Sequence, residues 1–215
     1  LQVEYAKKTV KQGTSALGLV CKDGVVLAAD KRVSAGYLIS NKKMDKIHRI
    51  SDNAAVTMAG LVSDAQLIVK LIKAEIRLKK IRTIRDPSIK ETANQLANIL
   101  YQNIRKPSMV PGIVGFLLGG KDKNGYHLYE LGMDGSITPT DDFCSNGSGS
   151  PLAYGVLETL YNSEITVKEG TEIALKSIKA AIQRDMPTGD GIDIITITSE
   201  GVKQHQTKKV KKVIE

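Results

Sequence analysis

Short apolar runs broken by turn residues follow Thr14, and longer stretches of helical period come after them. SALGLV and VVLAAD flank Lys22-Asp23-Gly24, and an Asp-Gly step between two such runs predicts a hairpin. Residues 37–40, 46–50 and 54–58 read as further extended segments. Ser63 with Gln66 has the form of a capping box and predicts a helix running to about Lys80. Asp86-Pro87 opens a second helix, in which Ile89, Ala93, Leu96, Ala97, Leu100 and Ile104 form one apolar stripe. Strand patterns return over 112–118 and 126–131, joined by a turn at Lys123-Asn124-Gly125. Two more helices are expected, one after Gly149-Ser150-Pro151 and one from Thr166, whose Glu169 completes a capping box; residues 192–198 then read as a buried strand. Ahead of all this, Val3, Ala6 and Val10 stand at helical spacing among lysines and predict a short amphipathic helix over residues 1–12.

Helices that arrive in consecutive pairs, without strands between them, argue against a doubly wound parallel sheet. Two antiparallel sheets face to face, with a helix pair on each outer side, bury every apolar stripe. The expected fold is therefore α+β, a four-layer α-β-β-α sandwich. With 215 residues and no internal linker, the chain divides into a leading segment, 1–13, and one domain, 14–215.

Charge changes this picture little. The net charge is +8, but the basic residues are spread over helix faces, with one cluster at Lys208, Lys209, Lys211 and Lys212, which reads as solvated surface and tail. With 2 Phe, no Trp and no recognised motif, nucleic-acid binding is disfavoured. Cys21 and Cys144 are far apart and match no metal-ligand spacing, so neither a metal nor a disulfide is expected, and a reducing, cytoplasmic setting fits. No apolar run approaches the roughly 18 residues of a membrane span.

The chemistry centres on Thr14 in Lys11-Gln-Gly-Thr-Ser-Ala-Leu-Gly18. A threonine hydroxyl becomes nucleophilic when a base takes its proton, and the threonine's own amine can do so once the chain is cut before it. That amine has a pKa of about 7.7–8.0 and is partly neutral near physiological pH. Gly13-Thr14 is accordingly a candidate self-processing bond. Other polar residues interrupt apolar patterns: Asp30 and Arg32 at a strand end, Lys46 at a strand start, Ser148 in Gly-Ser-Gly-Ser, and Asp185 at a helix end. Each has a structural alternative: a strand-end ion pair for Asp30 and Arg32, a solvated charge for Lys46, a turn for 147–150, a helix-end charge for Asp185.

Together, GT-x-x-x-G, DGVVLAADKR, DKIHRI, MAG-x-x-x-DAQ, LLGG, NGSGSPLAYGVLE and RDMPTGDGID give a chain that resembles the β-type subunits of the proteasome, the N-terminal threonine proteases of its core particle. The resemblance runs from Gly13 to about Thr198, and it implies the N-terminal nucleophile hydrolase fold. It assigns Thr14 as nucleophile after loss of residues 1–13, Lys46 as the activating ammonium, and Asp30 as its anchor. Ser148, Asp185 and Thr188 would order the Thr14 amine and hydroxyl, Thr188 standing where many members have Ser. The Gly60 N–H would stabilise the oxyanion. Val33, Ser34, Met44, Met58 and Val62 are the implied substrate-binding positions. No cofactor is implied. The implied partners are other α- and β-type subunits in stacked seven-membered rings, a regulatory ATPase and unfolded polypeptide substrates.

Residues 1–13 resemble the N-terminal helix of α-type subunits, so a non-catalytic structural or gating ring subunit is the competing reading. Gly115-Phe-Leu-Leu-Gly-Gly-Lys121 nearly spells a phosphate-binding loop, but Asp122 replaces the magnesium-binding hydroxyl and a turn follows where a helix should begin. A serine-protease triad is disfavoured because His48, His127 and His205 all lack a nucleophile-elbow context.

Overall fold

In the computed structural model, residues 11–12, 14–108 and 112–208 are described. Strands β1 (Lys11–Gln12), β2 (Ser15–Cys21), β3 (Gly24–Asp30), β4 (Val33–Ala35), β5 (Leu38–Asn41), β6 (Ile47–Arg49) and β7 (Ala54–Gly60) lead into helices α1 (Val62–Thr83) and α2 (Ile89–Arg105). Strands β8 (Val114–Asp122), β9 (Gly125–Leu131), β10 (Ile137–Thr140) and β11 (Phe143–Gly147) come next, then α3 (Ser150–Leu160), α4 (Val167–Arg184), β12 (Ile192–Thr198) and β13 (Gly201–Lys208).

Two antiparallel five-stranded sheets form, ordered β11-β2-β3-β12-β13 and β10-β9-β8-β7-β6, beside a small sheet β1-β4-β5. The alternation of side chains along a strand explains the layering. Val25, Leu27 and Ala29 of β3 enter the cluster between the sheets with Leu117, Leu128 and Ile195. Val26 and Ala28 of the same strand point the other way, into a cluster with Ala153, Leu157, Ala174 and Ile178 of α3 and α4. Phe116 and Leu118 of β8 likewise meet Ile68, Ile72, Leu96 and Leu100 of α1 and α2. A strand buried on both faces must be apolar throughout, which is why VVLAA runs without alternation. The four-layer α-β-β-α arrangement is thus the observed one.

Local signals hold at some boundaries and fail at others. Thr166 and Glu169 close a capping box at α4, and Pro151 lies in the first turn of α3. α2 opens later than the expected Asp86-Pro87 start: Ser88 is its N-cap and closes a capping box with Glu91, so Pro87 precedes the helix. The Ser63 box does not form: the chain leaves β7 at Gly60 with φ +126° and is helical from Val62, which puts Ser63 inside the helix. The helix expected over residues 1–12 lies outside the described residues except for Lys11–Gln12, which are extended and paired with β4.

Gly24 is required where β3 begins, since a Cβ there would stand 2.4 Å from the Ile197 carbonyl oxygen of β12. Gly155, exposed on α3, has nothing within 4 Å of that position. Gly24→Ala should destabilise the chain by about 1–3 kcal/mol through overpacking. Gly155→Ala should stabilise it by up to about 1 kcal/mol through helix propensity. Denaturant midpoints of the two purified variants against the parent check both signs.

Candidate active site

Antiparallel pairing brings the start of β2 beside the end of β3, with Ala16 opposite Ala29, so that Asp30 lies next to Ser15. Asp30 is 0% exposed and its carboxylate is fully engaged. Oδ1 accepts from the Ser15 N–H at 2.9 Å and from Lys46 Nζ at 2.7 Å. Oδ2 accepts from the Arg32 N–H and the Gly189 N–H, both at 3.0 Å. Four donors replace the water the carboxylate has lost, which is what makes its burial tolerable.

Lys46 comes from the loop that leads into the other sheet. It precedes β6, its carbonyl accepts from the Met58 N–H of β7 at 2.9 Å, and it is 1% exposed. Burial pushes its ammonium below the ordinary lysine value, opposed by the charge and hydrogen bond of Asp30 and by the charge of Asp185. Burial likewise pushes the Asp30 carboxyl up, opposed by Lys46. A lysine so placed is a desolvated cation aimed into the sheet sandwich, suited to tuning a neighbouring hydroxyl or amine.

Thr14, 5% exposed, ends the approach to β2. The turn after β11 closes over it: Gly147 has φ +101°, and a Cβ there would lie 2.0 Å from the Thr14 carbonyl oxygen. Ser148 Oγ stands 3.4 Å from that same oxygen and donates to Asp185 Oδ2 at 2.7 Å. Asp185 caps the C-terminus of α4 and also accepts from Thr188 Oγ1 at 2.5 Å. Thr188 Oγ1 is in turn 2.7 Å from Ser15 Oγ, and both residues are fully buried. Thr14, Asp30, Lys46, Ser148, Asp185 and Thr188 are therefore brought together.

The remaining expected positions lie on neighbouring elements. Gly60 ends β7, where its φ of +126° and the 2.3 Å separation of a Cβ from the Ile113 carbonyl oxygen admit only glycine. Val62 follows as the first residue of α1. Met58 is buried in the helix-side cluster and Met44 packs against it. Val33 and Ser34 lie on β4, where Ser34 pairs with Gln12 and Ala35 with Lys11. Arg32 does not pair with the Asp30 carboxylate by its side chain: its guanidinium bonds Asp190 at 2.7 Å and the Met186 carbonyl at 2.8 Å. Ser15 and Gly189, which both bind Asp30, escape the sequence reading; the one signal for Ser15 is a hydroxyl at the head of an otherwise apolar strand.

Two of the histidines are engaged elsewhere. His127 bonds Asp122 and His205 bonds Thr196. The near phosphate-binding sequence is strand β8, and the broad surface cleft of about 870 Å³ lined by Arg85, Ser88, Lys121 and Asp122 opens at the end of β8 remote from Gly60. Among the described residues no group of His, Cys, Asp and Glu is arranged to hold a metal, and no helix is long and apolar enough to cross a membrane.

The sequence model of the family described as "Proteasome subunit" matches residues 10–197. The protein named proteasome subunit beta of Archaeoglobus profundus is 44% identical over 205 residues, covering 95% of this chain and 94% of its own. That of Methanothermobacter thermautotrophicus is 44% identical over 210 residues, 97% of each chain. That of Methanocaldococcus jannaschii is 40% identical over 207 residues, 96% of this chain and 91% of its own. A match of this length, on a sandwich whose buried polar residues converge beside Thr14, means that the chain belongs to the proteasome subunit family, as a β-type subunit.

Proposed function

We propose that this subunit is a threonine endopeptidase of the proteasome core particle, with Thr14 as nucleophile once the Gly13-Thr14 bond is cut. The observation that carries the reading is the buried Lys46–Asp30 pair, which meets the Ser148–Asp185–Thr188 group at the two residues Thr14 and Ser15. In the processed chain the free Thr14 amine takes the hydroxyl proton as Oγ attacks the scissile carbonyl, and the Lys46 charge favours the developing alkoxide. The Gly60 N–H is assigned to the oxyanion. The amine then returns the proton to the leaving nitrogen, and water hydrolyses the remaining ester on Thr14 Oγ with the amine again as base.

Pairing of Lys11–Gln12 with β4 supports the same reading. Lys11–Gln12 lie along the edge that carries Ser34, and a substrate strand would add to that edge by the same backbone hydrogen bonds after residues 1–13 are gone. The proposed substrates are unfolded polypeptides, the proposed assembly is stacked seven-membered rings with α- and β-type neighbours, and a regulatory ATPase supplies the unfolded chains in a cytoplasmic setting.

Lys46→Ala should abolish peptide hydrolysis in assembled particles. The fold should persist, because three backbone N–H groups still hold Asp30, at a cost of about 3–5 kcal/mol for the unpaired charge. Peptide assays with a thermal-unfolding curve read both effects, and parental hydrolysis by this variant would remove Lys46 from the mechanism. Val33, Met44, Met58 and Val62 are all apolar, and a charged side chain among them would be desolvated without a partner. Fluorogenic peptides ending in Leu or Tyr should thus be cleaved in preference to those ending in Glu or Arg; the reverse order would sink this assignment.

While Gly13 remains attached, the Thr14 nitrogen is an amide with no basic lone pair, so the unprocessed chain should lack peptidase activity. It retains one reaction: the Thr14 hydroxyl attacks the adjoining Gly13 carbonyl, the Gly13–Thr14 C–N bond breaks as the hydroxyl proton passes to the freed Thr14 amine, and water hydrolyses the resulting ester to release residues 1–13. N-terminal sequencing of assembled, active particles should find Thr14 first. Chains still uncut at Gly13-Thr14 in fully assembled, peptide-inactive particles would favour the structural ring-subunit reading instead.

A further inference from the structure

We infer that Ser15 is a positioning residue for this reaction, a joint that aligns the Asp185–Thr188 pair and the Lys46–Asp30 pair on the residue they flank. The inference rests on the reading of Thr14 as nucleophile. Its basis is a count of protons. Thr188 has one hydroxyl proton and gives it to Asp185 Oδ2, so at the 2.7 Å contact between Ser15 Oγ and Thr188 Oγ1 the donor must be Ser15. The bonds then run in one direction, from Ser15 to Thr188 to the Asp185 carboxylate, whose Oδ2 also accepts from Ser148.

Ser15 is also tied at its backbone, its N–H donating to Asp30 Oδ1, the oxygen that holds Lys46. One residue thus binds Asp30 directly and reaches Asp185 through Thr188, and it is bonded directly to Thr14. Its surroundings are shaped to keep the hydroxyl in place: a Cβ on Gly149 would stand 2.0 Å from Ser15 Oγ. With Ser15 and Thr188 both fully buried, no water replaces the lost donor when Ser15 is truncated. The Thr188 hydroxyl then loses the bond that fixes its rotation, and Asp185 loses a held partner.

The test uses assembled particles, with the active fraction taken as the share of chains that begin at Thr14 by mass spectrometry. Ser15→Ala should lower kcat about five- to tenfold, the worth of one buried neutral hydrogen bond, with KM unchanged. In a Thr188→Ala background the same change should alter kcat by less than about twofold, and in a Thr188→Ser background the full fall should return. Parental kcat in Ser15→Ala, or an equal fall in all three backgrounds, would overturn the inference. If Ser15→Ala does not assemble, Ser15→Cys, similar in shape and a poor donor, is read by the same criteria. Thr14→Ala particles separate the two levels: activity there sinks the nucleophile reading, while inactive Thr14→Ala beside parental Ser15→Ala sinks only the role of Ser15.

Discussion

A charged lysine and a charged aspartate buried between two β-sheets set the terms for everything near Thr14. Such a pair is tolerated only if each remaining lone pair and proton finds a partner, because the desolvation penalty of either ion alone is several kcal/mol. Asp30 meets that demand with N–H groups from β2, from its own strand end and from the loop after α4. Lys46 arrives from the loop that leads into the opposite sheet, so the pair also fixes how the two sheets face each other at this end.

The layers explain why Thr14 can be so dry. Both central strands β2 and β3 are covered on one face by α3 and α4 and on the other by the second sheet. A hydroxyl at the head of β2 is therefore held by a backbone that cannot shift without disturbing two packed interfaces. Glycine supplies the close approach: Gly147 and Gly149 let the turn after β11 lie against Thr14 and Ser15 where any side chain would collide.

Much of this is legible in the residues themselves. The second helix follows from its apolar stripe and the fourth from its Thr166/Glu169 capping box, and the central strands from runs such as VVLAAD whose two faces are both buried. The strands that escape notice are marginal ones. β10 carries Pro139 and β13 reads GVKQHQTK; as edges they owe their conformation to the neighbour they pair with and not to an apolar pattern of their own. At the site, Asp30, Lys46, Ser148 and Asp185 stand out as polar residues in apolar surroundings. Ser15 and Gly189 do not, since one acts through a short hydroxyl at an ordinary strand start and the other through a backbone N–H, which every residue type except proline shares.

The partners of Asp30 are widely scattered along the chain, and this bears on when chemistry becomes possible. The Gly189 N–H comes 159 residues after Asp30, and the Thr188 hydroxyl 173 residues after Ser15. Contacts so distant in sequence close late, after the loop-closure entropy of the intervening chain has been overcome. A growing or half-folded chain consequently holds Thr14 and Gly13 side by side without the environment that would let one attack the other. If Thr14 is the nucleophile proposed above, its cleavage of the Gly13 bond waits until the last quarter of the chain has docked, a safeguard in time written into the order of the sequence.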